Sequence, residues 1–496
     1  MLLLVCAVHF LLGAQLGLSV DEAHYALYAA HLDWSYFDHP PLVGWVQWPL
    51  VALQVPTWLM RLLPELLWLG TTLLVFQLAE RLQARLRATN SAPAPALVAG
   101  QAGFWAVLAL VLSPLFHVLG IGLLPDTLLV FFTAAVMGVT LDLMDGQAVQ
   151  RPRLWIVLGL LLGLAGLSKY TAIFTALAVA LCLLLAHGWH LLRLRWLWLA
   201  VAIALLMVLP VAYWNQTQHW ISFRYQAQHG AGGGWSAAHV VRFLLVQLVS
   251  YGPLLLAGLF GLRGKPVPAS RAMLVFFAIP FGVLAALAGG GTSLPHWTAP
   301  AWVALAPLCG VALARAAHRW QRWSVGTLAL AQGVTCAALL GLMFTAGLPF
   351  LTQTTGQGNS AQPSNPFADV HGWSDAGAHA LSLAEQHGLR SVSVQNWTLA
   401  SRLAWYARPL PVHVLEDRFD QFTLWAGALP VGGDTLLLDW SQLGYAVPLG
   451  PRGFADCQLL DTQEVQRFGT PIATFRYFAC HGWSGQPQPR LQGADT

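Results

Sequence analysis

The chain has 496 residues, of which 56% are hydrophobic and only 9% are charged. Soluble globular domains carry about 25% charged residues. The positive mean hydropathy of +0.58 also indicates a predominantly apolar chain. This composition excludes an ordinary soluble enzyme and predicts a polytopic membrane protein. The net charge of +4 is small, and the cations are scattered between apolar runs, which excludes a nucleic-acid-binding surface.

The first apolar segment, residues 2–20, is long enough to span a bilayer. A signal peptide would carry a basic start and an A-x-A cleavage site. Neither is evident in this segment, so we interpret it as a retained transmembrane helix.

The stretch after this segment is unusually rich in acids and aromatic residues: "LSVDEAHYALYAAHLDWSYFDHPPLVGW", from Leu18 to Trp45. Ionisable residues at membrane depth are rare and usually functional. A lone acid here would be only a solvated helix end, but Asp21 and Glu22 are adjacent. The Pro-Pro pair stops any helix and fixes an extended turn, which predicts that Asp38 and His39 are held at the membrane surface.

About eleven segments are apolar enough to cross the bilayer. They lie near residues 2–20, 58–80, 96–114, 124–144, 154–168, 171–187, 195–213, 239–261, 272–288, 297–315 and 324–347. A further segment, residues 41–55, is apolar but short and bounded by prolines. We interpret it as a re-entrant or interfacial helix.

The distribution of cations predicts the sidedness of the loops. With a cytoplasmic N-terminus, every loop after an even-numbered crossing contains at least two Lys or Arg residues, and the opposite loops contain few. The acid-rich first loop, 21–57, and the tail after residue 348 are then predicted to lie outside the plasma membrane. The inner loops carry no nucleotide-binding signature.

Ionisable residues also lie at the outer ends of other predicted crossings. Asp126 opens the fourth crossing, where a helix N-terminus favours an acid for structural reasons alone. The pair Lys169-Tyr170 lies between two short apolar segments. Its lysine is either an interfacial anchor that reaches the headgroups or a point charge for a phosphate.

The later outer loops are "FRYQAQHGAGGGW" and "GGGTSLPHWTAP". The first supplies Arg224 and His229, and because no Lys-Ser/Thr follows its glycines it is not a P-loop. The second supplies His296 and Trp297, and a tryptophan at this depth is commonly only an interfacial anchor.

The tail, residues 349–496, has a different composition. A polar linker precedes five alternating segments, "SVSVQ", "PVHVLE", "TLLLDW", "FADCQLL" and "PIATFRYFAC". Short strands of this kind, with a helix over residues 375–387, predict a small α/β domain. Cys457 and Cys480 both fall here and are either paired in an oxidising exterior or two free thiols.

The outer loops together combine acids, a few cations and many aromatic side chains. Aromatic faces stack on sugar rings, a carboxylate can deprotonate an acceptor hydroxyl, and cations offset the charge of a phosphate leaving group. A sugar donor used outside the cytoplasm would have to arrive attached to a lipid.

In these motifs the chain resembles the membrane-embedded glycosyltransferases of the GT-C fold, family 39, which include protein O-mannosyltransferases and the lipid A aminoarabinose transferase. The pieces that carry the resemblance, in order, are "DEAHYALYAAHLDWSYFDHPPLVGW", "LPDTLLVFFTAA", "GLAGLSKYTAIF", "FRYQAQHG", "LPHWTAPAW", "NWTLASRLAWYA" and "RFDQFTLW". The resemblance implies a GT-C protein with about 11 transmembrane helices in residues 1–348 and an extracytoplasmic α/β domain in residues 349–496.

The resemblance also implies a function and a site. The expected activity is transfer of a single sugar, with inversion, from a polyprenyl-phosphate donor to an envelope lipid, glycan or protein. The candidate residues are Asp21 and Glu22 for catalysis; Lys169, Tyr170, His39 and Arg224 for the donor phosphate; and Tyr25, Tyr36, Phe37, Asp38, Asp126, His229, His296 and Trp297 for the substrate. Related sequences with "YFEKPP" have a lysine where this chain has His39, which weakens the phosphate role there and argues against aminoarabinose transfer.

No cofactor is expected. No cysteine pair has CxxC spacing, which argues against a zinc or redox motif, and a divalent cation held by Asp21 and Glu22 stays an open alternative. The expected partners are the lipid-linked sugar, the envelope acceptor and membrane lipids. The rival functions are a transporter or flippase, which would show repeated broken helices, a lipid-linked oligosaccharide ligase, and a catalytically silent assembly protein.

Overall fold

The computed structural model describes residues 1–89, 99–260, 267–316, 318–348, 365–443 and 445–489. Its α-helices are Leu2–Gln15 (α1), Val20–Ala30 (α2), Leu42–Ala52 (α3), Thr57–Met60 (α4), Leu62–Thr89 (α5), Gln101–Val111 (α6), Pro114–Ile121 (α7), Pro125–Leu143 (α8), Pro152–Ser168 (α9), Ala172–His187 (α10), Arg195–Thr217 (α11), Ile221–Ala231 (α12), Ala237–Tyr251 (α13), Ala257–Phe260 (α14), Pro268–Leu287 (α15), Ala299–Ala314 (α16), Arg319–Thr345 (α17), Trp373–Gln386 (α18), Trp397–Tyr406 (α19) and Gln421–Trp425 (α20).

The chain divides into two compact units. The helical unit comprises Met1–Phe10, Leu32–Gln47 and Leu59–Ala337, and the sheet unit comprises Leu11–His31, Trp48–Trp58 and Ala338–Thr496. The acid pair of the first loop therefore belongs to the sheet unit. The predicted polar linker lies almost entirely outside the described residues, and the predicted boundary at residue 348 stays a prediction.

Seven helices of the described part are long and apolar enough to cross a bilayer: α5 with the short α4 before it, α8, α10, α11, α15, α16 and α17. Two helix pairs, α1 with α2 and α6 with α7, meet the same criterion together but bend by 79° at their junctions. The shorter apolar helices α9 and α13 coincide with the two remaining predicted crossings, and α3 coincides with the predicted re-entrant segment. The chain is a multi-pass membrane protein.

Small residues let the helices of the helical unit approach closely, as is common in membrane bundles. A Cβ atom on Gly310 of α16 would clash with the carbonyl oxygen of Ala102 in α6, and one on Gly159 of α9 would lie 2.7 Å from the carbonyl oxygen of Ala200 in α11. In the apolar stretch that includes α16, 89% of the residues are buried, whereas in those of α11 and α17 only 11% are buried. The first is thus a core helix, and the other two expose apolar surface suited to lipid.

A chain of buried and half-buried polar side chains joins three elements of the helical unit. His9 Nδ1 lies 2.7 Å from Glu65 Oε2, and His9 Nε2 lies 2.8 Å from His117 Nδ1. His117 Nε2 donates in turn to the carbonyl oxygen of Val111 at 2.6 Å. Each ring is thereby partnered on both nitrogens, which offsets the cost of burying polar groups in an apolar bundle.

The sheet unit contains one five-stranded sheet, with strands Val392–Val394 (β1), Val412–Val414 (β2), Thr435–Trp440 (β3), Phe454–Arg467 (β4) and Thr470–Trp483 (β5). Their spatial order is β2-β1-β3-β5-β4; β1 is parallel to β2 and β3, and β5 is antiparallel to β3 and β4. All five predicted strands and the predicted helix, now α18, are confirmed.

The hairpin between β4 and β5 decides the state of the two tail cysteines. Its two-residue loop, Phe468 and Gly469, has φ values of 50° and 76°, as a type I′ turn requires. The resulting register places Cys457 directly opposite Cys480. They form a disulfide, so the alternative of two free thiols does not hold.

Candidate active site

The helical unit holds a buried ion pair at the N-terminus of α8. Asp126 occupies the first turn of α8, and Lys169 follows directly on α9, in extended backbone. Lys169 Nζ donates to Asp126 Oδ2 at 2.6 Å, and the two side chains are only 7% and 1% exposed. His296 Nε2 lies 3.7 Å from the same carboxylate oxygen. One acid thus faces a cation and an imidazole away from bulk water.

The second oxygen of this carboxylate, Asp126 Oδ1, is buried and has no hydrogen-bond partner within the described residues. A buried carboxylate oxygen without a donor is costly. Such an atom is therefore a candidate acceptor for a hydroxyl of a bound ligand.

An aromatic row extends from this ion pair to the first loop. Lys169 Nζ lies 5.8 Å from the ring centroid of Trp297, whose ring meets that of His229 at 5.4 Å. His229 stacks on Tyr225 at 5.3 Å, and Tyr225 meets Phe37 at 4.5 Å. The aromatic row, Phe37-Tyr225-His229-Trp297, brings together three predicted residues and one, Tyr225, that was not predicted as a site residue.

Tyr170 lies in a small polar network beside this site. Its hydroxyl is 3.3 Å from Ser35 Oγ and accepts from Asn215 Nδ2 at 3.4 Å. Burial raises the pKa of Tyr170, while hydrogen bonds from Ser35, Ser222 and Asn215 oppose that shift. The hydroxyl therefore stays protonated at neutral pH and can donate or accept a hydrogen bond.

The turn that contains the Pro-Pro pair is held at several backbone points. Tyr36 N donates to the carbonyl oxygen of His39 at 3.1 Å, and the Tyr36 carbonyl accepts from Ser222 Oγ at 2.8 Å. Gln226 Nε2 donates to the Asp38 carbonyl at 2.5 Å. The turn thus aligns Asp38 Oδ2 with His39 Nδ1, 3.1 Å apart.

Arg224 is placed differently from the other predicted phosphate ligands. Its Nη2 donates to the carbonyl oxygen of His219 at 2.5 Å. The side chain is exposed, so its guanidinium is engaged along its own chain segment, outside the aromatic row.

The acid pair of the sheet unit separates into two roles. Glu22 Oε2 accepts from both Ser19 N and Ser19 Oγ at 3.0 Å, and Ser19 Oγ accepts from Glu22 N at 3.3 Å. This is a capping box at the start of α2. Asp21, in the same first turn, is partly exposed. Tyr25 is buried and meets the rings of His24 and Tyr28 edge-on, which makes it part of a packed cluster.

A divalent cation at Asp21 and Glu22 stays an open alternative. One oxygen of Glu22 is used by the helix cap. In the described ranges no group of three His, Cys, Asp or Glu side chains is arranged to hold a metal ion.

Several residues of the site carry no sequence signal that would have identified them. Ser35, Asn215, Ser222 and Gln226 are ordinary polar residues, the first in a loop and the others in α11 and α12, and only the fold brings them to Tyr170 and the turn. Asn215 lies within "YWNQTQHW", where the polar run after an apolar helix is a weak hint at most.

Comparisons with known proteins agree with this architecture. Residues 38–214 match the family described as dolichyl-phosphate-mannose-protein mannosyltransferase. Two crystal structures of ArnT from Cupriavidus metallidurans, one bound to undecaprenyl phosphate and one in the apo state, are 18% identical, have TM-scores of 0.64 and 0.63, and are matched over 98% of both chains. The fold is that of these structures, so the expected GT-C architecture is confirmed.

A curated relative is the lipid A galacturonosyltransferase RgtD from Rhizobium johnstonii (strain DSM 114642 / LMG 32736 / 3841), which is 24% identical over 296 residues. The match covers 58% of this chain and 58% of the relative. The chain thus spans less than two thirds of the length of that relative.

Proposed function

We propose that this chain is a glycosyltransferase that moves one sugar from a polyprenyl-phosphate donor to an envelope acceptor on the outer face of the inner membrane. The observation that carries the proposal is the buried Lys169–Asp126 pair with its unpartnered carboxylate oxygen, bordered by an aromatic row. Phosphate, sugar hydroxyl and sugar ring are the three chemical groups that such a set of side chains recognises.

Lys169 is the proposed ligand of the donor phosphate. An ammonium has three N–H donors, and Asp126 takes one of them at 2.6 Å. Two donors remain for phosphate oxygens, and the bond to Asp126 fixes their direction. Asp126 thereby acts as a positioning group for the lysine, and its other oxygen is available to a sugar hydroxyl.

The aromatic row and the turn form the proposed sugar-binding surface. Aromatic faces offer apolar contact to the C–H face of a sugar ring, and the protonated Tyr170 hydroxyl and the His39 imidazole supply hydrogen bonds at its edge. Neutral hydrogen-bonding groups of this kind suit sugar hydroxyls better than a point charge does.

The proposed reaction is a single displacement. The acceptor hydroxyl oxygen forms a bond to the anomeric carbon as the bond from that carbon to the phosphate oxygen breaks. The hydroxyl proton passes to the Asp21 carboxylate, which acts as general base, and Lys169 stabilises the charge that develops on the leaving phosphate. The configuration at the anomeric carbon is inverted.

Two comparisons support the choice of substrates. One ArnT structure contains undecaprenyl phosphate, and the curated relative is named as a lipid A galacturonosyltransferase. We infer an undecaprenyl-type donor and lipid A as the first acceptor to test, with the sheet unit on the extracytoplasmic side. The sugar itself is left to experiment.

The test is transfer by the purified full chain in lipid vesicles. Synthetic undecaprenyl-phosphate hexose, hexuronate and 4-aminopentose are each supplied with lipid A, and the product is detected by mass spectrometry. We expect transfer from one of these donors, a large loss in Lys169→Ala, and little change in Arg242→Gln, which removes an exposed cation of α13. Absence of product with every donor and lipid A would contradict the proposed transfer. An unchanged donor KM in Lys169→Ala would contradict the proposed phosphate role of Lys169.

A further inference from the structure

The sheet unit contains a buried arginine, Arg402 in α19, whose charge requires an explanation. Its side chain is 1% exposed. The guanidinium packs against two neighbouring indole rings, 4.1 Å from the centroid of Trp373 and 4.9 Å from that of Trp440. It forms an ion pair with Asp369 and donates from Nε to the carbonyl oxygen of Thr398 at 3.2 Å. A cation so deeply enclosed is held in one position.

The helix α2, which carries Asp21, lies alongside α19 within the same unit. Leu18 N, just before α2, donates to the Tyr406 hydroxyl at 2.9 Å. One turn beyond Asp21, His24 Nδ1 lies 3.1 Å from Ser401 Oγ, and the His24 ring meets that of Trp397 at 5.5 Å. The chain around α2 thus runs antiparallel to α19.

This antiparallel arrangement identifies the residue of α19 that lies opposite Asp21. Asp21 lies between Leu18 and His24, the two points of contact along the chain, and Arg402 lies one turn before Tyr406 on the same face of α19. With Leu18 opposite Tyr406 and His24 opposite Ser401 and Trp397, the residue of α19 that faces Asp21 is Arg402. Burial lowers the pKa of Arg402, and the charges of Asp369 and Asp21 raise it, which agrees with that placement.

We propose that Arg402 is a positioning residue for the Asp21 carboxylate. Its buried positive charge keeps Asp21 ionised and oriented across the α2–α19 pair, so that the carboxylate is ready to accept a proton. Asp369 pairs with the same guanidinium, and its negative charge partly offsets the effect of Arg402 on Asp21. The inference rests on the proposed role of Asp21 as the general base.

The experiment measures the protonation of Asp21 directly. The full chain in lipid nanodiscs is treated with a water-soluble carbodiimide, which modifies protonated carboxyl groups, and the Asp21 peptide is quantified by mass spectrometry across pH. In Arg402→Gln we expect the pH midpoint for modification of Asp21 to rise by about one unit, because an opposite charge has been removed. The apparent pKa of the acid limb of the pH–kcat profile should rise by a similar amount.

Asp369→Asn separates this role from a merely structural one. It removes the competing carboxylate and leaves Arg402 charged, so the midpoint at Asp21 should fall. A structural role predicts the same direction for both variants, because each breaks the same ion pair. Equal directions, or no shift in either, would overturn the inference. Should Arg402→Gln fail to fold, the direction in Asp369→Asn alone decides: a fall supports the inference, and no change or a rise overturns it.

Failure of this inference is distinguishable from failure of the proposed function. If Asp21→Asn retains near wild-type transfer, the base assignment is wrong, whatever the modification midpoints show. If Asp21→Asn is inactive while the midpoints do not move in opposite directions, the base assignment stands and the role of Arg402 is wrong.

Discussion

The helix starts of α8 and α2 both carry acids in their first turn, Asp126 in the one and Asp21 with Glu22 in the other. At α8 the acid is buried and paired with a lysine. At α2 one acid caps its own helix and the other is partly exposed. An acid at a helix N-terminus is locally favourable in both places, but its chemical role depends on the partners that the rest of the fold brings to it.

The largest effect expected from this comparison is at α2. Asp21→Asn should lower kcat by about 10²- to 10⁴-fold, the range for loss of a general base, with little change in Tm, because the cap formed by Ser19 and Glu22 remains. Turnover in vesicles and thermal unfolding measure the two effects. Asp417→Asn alters an exposed acid of the sheet unit; it is the control and should change neither value.

At α8 the expected loss is in stability. Asp126→Asn leaves the buried Lys169 charge unpaired, which should cost about 3–5 kcal/mol, and it should also raise the donor KM. Adding Lys169→Met should recover much of the stability without recovering transfer. The control is Asp145→Asn, whose pair with Arg85 is more exposed and should cost less than about 1 kcal/mol. Equal losses of stability in Asp126→Asn and Asp145→Asn would contradict the distinction between the buried and the exposed ion pair.

The cap of α2 should show a smaller effect. Ser19→Ala removes the hydroxyl that accepts from Glu22 N and donates to its carboxylate, and loss of such a cap typically costs about 1 kcal/mol. Because Asp21 lies in that first turn, kcat should fall modestly as well. Ser19→Thr keeps the hydroxyl and should preserve both values. An unchanged unfolding temperature in Ser19→Ala would contradict the role of the cap.

The smallest expected effect is a pH dependence of the sheet unit. Burial lowers the pKa of His371, whose Nε2 donates to the carbonyl oxygen of Met343 at 3.2 Å. The unfolded chain therefore binds more protons than the folded one between the lowered pKa and the ordinary value of 6.5. The stability contribution is full above pH 6.5 and declines on acidification towards the folded pKa.

The measurement for His371 is thermal unfolding of the full chain at a series of pH values. His371→Gln should flatten the decline below pH 6.5, and His387→Gln, which alters an exposed histidine of the same unit, should leave it in place. A slope unaffected by His371→Gln would assign the pH dependence to other groups.

The fold was largely predictable because its signals are local. Eleven apolar segments, five strands and α18 follow from hydropathy, alternation and length, and each overlaps a helix or strand of the structure. The bends between α1 and α2 and between α6 and α7 were not predicted, because α2 was assigned to the first outer loop and α7 lies between two predicted crossings.

The site was predictable in composition but not in arrangement. Lys169, Asp126, His296 and Trp297 were all selected, yet Lys169 was treated as a free cation for phosphate. Asp126 and Lys169 are 43 residues apart, and nothing in either motif indicates that they pair. Arg402 had only the resemblance motif "NWTLASRLAWYA" to mark it, and that motif assigns it no role.

By itself, the sequence determined the membrane class, the helical segments, the strands of the sheet and the types of side chain available for chemistry. These depend on the solvent preference and backbone preference of residues near one another in the chain. The tertiary structure alone decided that Asp126 is paired, that Glu22 is a cap, that Cys457 meets Cys480 and that Arg402 is buried in an ion pair with Asp369. These relations depend on how distant segments pack, because burial and a specific partner, not residue type, set the charge and orientation of an ionisable group.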